Sequence, residues 1–165
     1  MKLTVIDFDG TIFDTKSFVG DILKRIEIDK DELYENLDSY TDHPVVRKLR
    51  ADIKQYFFDG WEETLTKLNN SSDFLILLTK ALYSYKWQVD QISASGLSGY
   101  LDHIHITERN KKDDLQEFIK QSGATEVVFI NDSVSENAEI EEFLPWVNVI
   151  EIDHYSGDGI ALREI

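Results

Sequence analysis

Strand-like and helix-like stretches alternate along this chain. Five short runs rich in β-branched and other apolar residues stand at Leu3–Phe8, Phe74–Thr79, His103–Ile106, Val127–Ile130 and Val147–Ile152. Between them, apolar residues recur at helical spacing: Trp61, Leu65 and Leu68, then Leu115, Phe118 and Ile119, then Ala138 through Leu144. Such alternation predicts βαβ units and a parallel sheet with helices on both faces. The unbroken apolar character of Leu75–Leu78 and Val127–Ile130 fits strands covered on both sides, whereas His103-Ile104-His105-Ile106 alternates and belongs at a sheet edge. At 165 residues the expectation is one Rossmann-like three-layer α/β/α core around a five-stranded parallel sheet.

The interval between the first two runs is longer than one crossover needs. Phe18, Ile22, Leu23 and Ile26 mark a helix, Leu33, Tyr34 and Leu37 a short second, and Val45, Val46, Leu49, Ile53 and Phe57 a third with Pro44 near its start. Residues 15–59 are therefore expected to form a small helical cap over the carboxyl end of the first strand, with residues 1–14 and 60–165 as the α/β core.

Composition narrows the function classes. Thirty-two acidic against seventeen basic residues give a net charge of -15, a field that repels nucleic-acid polymers and anionic membrane surfaces. The absence of cysteine excludes disulfides, zinc-thiolate sites and thiol catalysis. Asp7 interrupts the first apolar run too early for a signal peptide, and no run approaches the length of a membrane span, so a soluble, cytoplasmic protein is expected.

In an open parallel sheet, ligands bind beyond the carboxyl ends of the strands. The first end reads Asp7-Phe8-Asp9-Gly10-Thr11. Two carboxylates two residues apart can hold a hard divalent cation or divide nucleophilic and acid/base roles. Asp-Gly is also a hairpin signal, but Ile12–Gly20 does not alternate as a partner strand should. Thr79 closes the second run, where a hydroxyl can reach a phosphoryl oxygen or serve simply as a good strand residue. Lys111 and Lys112 open a helix, a position unfavourable to a cation unless an anion sits there. Asn131-Asp132-Ser133 follows the fourth run; Glu136 is either a site carboxylate or the far half of a capping box begun by Ser133.

Taken in order along one sheet edge, these residues resemble the haloacid dehalogenase superfamily, whose members are largely magnesium-dependent phosphohydrolases. The signature Asp-x-Asp-Gly-Thr stands at Asp7–Thr11, Thr79 falls at the second-motif threonine, Lys111, twelve residues before Gly123, at the lysine ahead of a helix-glycine-strand segment, and Asp132 with Glu136 at the fourth, acidic motif. Lys80, Asn131 and Glu136 depart from the commonest residues at their places. The resemblance implies hydrolysis of a small-molecule phosphate monoester. Asp7 is then nucleophile and Asp9 general acid/base, with Thr79 and Lys111 on the phosphoryl oxygens and Gly10, Thr11 and Lys80 at the substrate. Mg²⁺ is expected near Asp7, the backbone carbonyl of Asp9, Asp132 and Glu136. Asp9 argues against the dehalogenase branch, which keeps no carboxylate there. A non-catalytic member of the fold, binding a metal or a protein, is the alternative.

Specificity is expected from the cap around Ile22, Tyr34, Tyr40 and His43, and from residues after Thr79. Tyr83, Tyr85 and Trp87 can be read as a stacking platform for a base, but they border a helix whose Trp87, Ile92 and Ser95 face the sheet, so packing is the expected role. His103 and His105 read as edge-strand polar residues rather than metal ligands, and Gly157-Asp158-Gly159 as a flexible turn without a following helix long enough to bind phosphate.

Overall fold

The computed structural model describes residues 1–156 and 159–165; Gly157 and Asp158 of the glycine-rich turn lie outside the described residues. Five parallel strands form one sheet: β1 (Lys2–Ile6), β2 (Phe74–Lys80), β3 (His103–Thr107), β4 (Glu126–Asn131) and β5 (Asn148–Glu151), in the order β3-β2-β1-β4-β5. The chain leaves β1 in one direction to β2 and β3, then returns to lay β4 and β5 on the other side. That reversal makes a switch point between β1 and β4, where the crevice of such sheets opens. β3 is at an edge, as its alternation predicts.

Side-chain alternation divides the core into two layers. Ile6, Leu75, Leu77, Val128 and Ile130 face one side with Phe18, Leu65 and Trp87. Leu3, Val5, Ile76, Leu78, Val127 and Phe129 face the other with Leu115 and Ile140. These last two come from α7 (Lys111–Ser122) and α8 (Val134–Phe143); the first layer is covered by α1 (Thr15–Ile26), α5 (Trp61–Ser71) and α6 (Tyr85–Ser95). Among the described residues no helix is long and apolar enough to cross a membrane.

Between β1 and β2 the chain inserts α1, α2 (Lys30–Glu35), α3 (Leu37–Tyr40), α4 (Pro44–Arg50) and a 3-10 turn at Ile53–Tyr56. The single helix expected over Val45–Phe57 is broken at Ala51 and Asp52. Tertiary pairing overrides helical spacing here: Phe57 bridges Phe13 antiparallel, the Phe58 amide donates to the Ile12 carbonyl at 2.9 Å, and the Asp14 amide donates to the Tyr56 carbonyl at 2.7 Å. The segment is drawn out as an extended clasp on the loop after β1. Likewise the short second helix is two, parted at Asn36. Arg50, buried, ties the insert to α6 by donating to Gln91 and to the Thr41 carbonyl and hydroxyl, with its guanidinium over the Trp87 ring.

Candidate active site

The loop after β1 is shaped by Phe8, Ile12 and Phe13, all fully buried, with the Phe8 and Phe13 rings stacked at 4.9 Å. The amides of Thr11, Ile12 and Phe13 all donate to the Phe8 carbonyl, and the Gly10 amide to the Phe13 carbonyl. A turn this tight needs Gly10 at φ +74°, a left-handed conformation open to glycine. It leaves Asp7 and Asp9 lining a cavity of about 670 Å³.

Asp7 is buried, 4% exposed, and its Oδ1 lies 2.8 Å from the Lys111 ammonium. Desolvation pushes its carboxyl up to about 7 against the pull of Lys111, with Asp9 and Asp132 pushing the same way. Asp9 is held at both oxygens: Thr15 donates to Oδ1 at 2.6 Å, while Gln88 donates to Oδ2 at 2.6 Å and Thr79 to the same oxygen at 3.4 Å. Burial raises its pKa, and those donors draw it back. Lys111 is itself 4% exposed and also meets Glu136 at 2.9 Å and the Asn131 side-chain carbonyl at 3.1 Å. Its pKa is raised: burial lowers it, and Asp7 and Glu136 more than offset that. Lys112 turns away to Glu139 at 3.0 Å and lies over the Phe143 ring.

Asp132, raised by burial, stands directly over Gly10: a Cβ there would fall 2.0 Å from its Oδ2. Glu136 engages Lys111 and accepts from the Asn131 amide at 3.2 Å. Ser133 caps the Glu136 amide at 3.4 Å, so half of the expected capping box forms while the glutamate side chain turns to the lysine. Among the described residues no three histidine, aspartate or glutamate side chains cluster as a metal-ligating set. Two side-chain carboxylates, Asp7 and Asp132, line the cavity beside the loop that carries Gly10. That set fits Mg²⁺, which holds few protein carboxylates and keeps several waters.

The remaining expectations divide. Gly10 and Lys80 line the cavity, as do Tyr34 and Thr79. Thr11 is fully buried, and its hydroxyl has no hydrogen-bond partner among the described residues. Ile22 packs in the core, Tyr40 donates to Glu32, and His43 caps α4, so none of these three lines the cavity. Trp87, Ile92 and Ser95 are buried as expected, but packing does not describe Tyr83. Ser84 is the α6 cap, which leaves Tyr83 in the connection before it, 66% exposed and lining the cavity. His103 and His105 flank Phe118 at the sheet edge, with His105 3.5 Å from Asp114. Gln88 and Thr15 are the residues that sequence reasoning missed. Gln88 had a signal, since a glutamine one place from Trp87 and four from Ile92 shares the buried face of α6.

No protein-family model matches the sequence, and no curated protein sequence matches it. Solved structures do match. A haloacid dehalogenase-like protein of Burkholderia xenovorans LB400 aligns at TM-score 0.71 and 15% identity, over 95% of this chain and 85% of its own. YfnB of Bacillus subtilis, determined bound to magnesium, aligns at TM-score 0.63 and 14% identity over 96% and 90%. The L-2-haloacid dehalogenase of Xanthobacter autotrophicus, with chloropropionic acid covalently bound, aligns at TM-score 0.60 and 15% identity over 94% and 79%. At these identities it is the architecture that is shared, and the fold of this chain is that of the haloacid dehalogenase-like hydrolases.

Proposed function

We propose that the chain is a magnesium-dependent hydrolase of small-molecule phosphate monoesters. The observation that carries this reading is the pair Asp7 and Asp9 at the end of β1, one carboxylate on a buried lysine and the other oriented by three donors. The two environments suit two roles. Asp7, in its ionised form beside the Lys111 ammonium, attacks phosphorus through a side-chain oxygen. A phosphorus–oxygen bond to Asp7 forms as the bond to the ester oxygen breaks, and Asp9 delivers a proton to the departing alcohol. Asp9, now ionised, takes a proton from the water that attacks the phosphorus of the aspartyl-phosphate; inorganic phosphate leaves and Asp7 is restored.

Lys111 and Thr79 supply positive charge and a hydroxyl for the phosphoryl oxygens, where transition-state charge accumulates. Asp7, Asp132 and the Asp9 carbonyl are the groups that would hold Mg²⁺, which supplies charge neutralisation between the nucleophile and the phosphoryl group. Glu136 serves in this scheme by holding Lys111. A dehalogenase needs no proton for a departing halide, so Asp9 and its three donors favour the phosphate ester. The helical insert, which contributes Lys16, Val19 and Tyr34 to the cavity wall, acts as the cap. Phosphate release from benzyl phosphate, with magnesium and with excess chelator, tests the reading: release that stops on chelation supports it, and release of chloride from a 2-haloacid in its place overturns it.

A further inference from the structure

The cavity is far larger than a phosphoryl group requires. Its 670 Å³ lies within the range of about 300–1,000 Å³ that encloses a drug-sized ligand. The phosphoryl chemistry occupies only the floor at the strand ends. Above it, the wall has two chemical characters.

One is aromatic and apolar. Tyr34 of α2 and Tyr83 of the β2–α6 connection meet at 4.7 Å between ring centroids, tilted by 47°, with Leu82 beside them. Leu82 and Tyr83 are 68% and 66% exposed, so this aromatic corner stands in water although it borders a cavity. The other is cationic. Lys16, Lys30 and Lys80 also line the cavity. Among the described residues none of the three forms an ion pair, whereas Lys111 on the floor has two. Lys30 lies over the Tyr34 ring at 5.5 Å, and Lys16 over the Tyr155 ring at 5.2 Å. With 32 acidic residues in the chain against 17 basic, a lysine has carboxylates in excess to pair with. Three unpaired lysines around one opening therefore form a local positive rim in a negative molecule, and the rim adjoins the aromatic corner.

We infer that the leaving group of the ester is a flat aromatic body carrying a second anionic group, a carboxylate or a further phosphate, with its ring against Tyr34 and Tyr83 and its charge toward Lys16, Lys30 and Lys80. The inference rests on the phosphatase reading and adds the substrate class to it. A ring laid on the corner removes the exposed faces of Leu82 and Tyr83 from water. The second anion satisfies the rim without competing for Lys111.

Three esters whose leaving alcohols have closely similar basicity separate these elements: cyclohexylmethyl phosphate, benzyl phosphate and para-carboxybenzyl phosphate. We expect kcat/KM to rise about fivefold from the first to the second, the scale of an aromatic contact. A further rise of about threefold to tenfold is expected for the third, shrinking as salt is added. Tyr83→Ala should erase the first step and Lys30→Ala together with Lys80→Ala most of the second; these side chains lie outside the core, so folding is not at issue. Equal kcat/KM for all three esters, with magnesium-dependent release intact, overturns the inference and leaves the phosphatase reading standing. Release from none of them overturns both.

Discussion

Lys111→Met deletes one charge and keeps the volume of the side-chain stem, so it isolates what the ammonium does. In the parent that ammonium lies 2.8 Å from Asp7 and 2.9 Å from Glu136. Breaking a buried ion pair by removing one partner costs about 3–5 kcal/mol, because a charge stays behind without compensation. Two features of this site reduce the loss. Glu136, with its side chain 22% exposed, regains hydration and keeps the Asn131 amide. Asp7, already pushed up to about 7 with the lysine present, moves higher without it and takes up a proton near neutrality.

The expected loss near neutral pH is therefore about 3 kcal/mol, which for a chain of this length lowers Tm by roughly 6–12 °C. It should grow as pH rises. A carboxyl whose folded pKa exceeds its unfolded value contributes stability that is complete below the unfolded value and is lost as pH climbs through the folded one. Thermal unfolding followed by circular dichroism in chelator, at pH about 6 and about 8.5, measures the trend. Lys111→Met with Asp7→Asn should recover most of the loss, since an amide needs no cation, and Lys112→Ala should melt near the parent. A loss that is the same at both pH values and persists in the double variant would show that Lys111 stabilises by packing alone.

Gly10→Ala places a Cβ 2.0 Å from Asp132 Oδ2 and forces a strained φ, so the half-saturating magnesium concentration should rise about tenfold or more in calorimetric titration; unchanged affinity refutes the ligand role of Asp132. Gln88→Leu removes the amide that joins Asp9 to Thr79, and kcat should fall about tenfold or more with KM little changed; a change confined to KM refutes the positioning role. Asp7→Asn in chelator removes a carboxyl raised from 3.8 to about 7, so its Tm advantage over the parent should widen as pH rises between those values; a constant difference contradicts the burial argument.

The legibility of the sequence followed the range of the interactions. Parallel strands buried on two faces leave uniform apolar runs, and Asp7, Thr79 and Asp132 sit at or just past the ends of such runs, so period and punctuation alone place them on one edge. Lys111 was legible by its register against Leu115. What was hidden depended on contacts between distant segments. Val45–Phe57 carries helical spacing, and only its pairing with Phe13 and Ile12 breaks the helix. Tyr83 was expected to pack at the helix border, and only the Ser84 cap, which fixes where α6 begins, leaves it in the connection before the helix. Thr15 reaches Asp9 because α1 starts immediately beyond the loop after β1, a proximity that no periodicity reports.

The proposed hydrolysis passes through an Asp7 that is covalently phosphorylated. In Asp9→Asn the first transfer from a donor with a good leaving group needs little proton donation, while the second step lacks its base, so the phosphoryl group should remain on the protein. Intact-mass measurement after mixing this variant with magnesium and an activated phosphate donor should show one added phosphoryl group, and peptide mapping should place it on Asp7. An unmodified protein, or a phosphoryl group on any other residue, in a preparation whose parent hydrolyses the same donor, rules out Asp7 as the nucleophile.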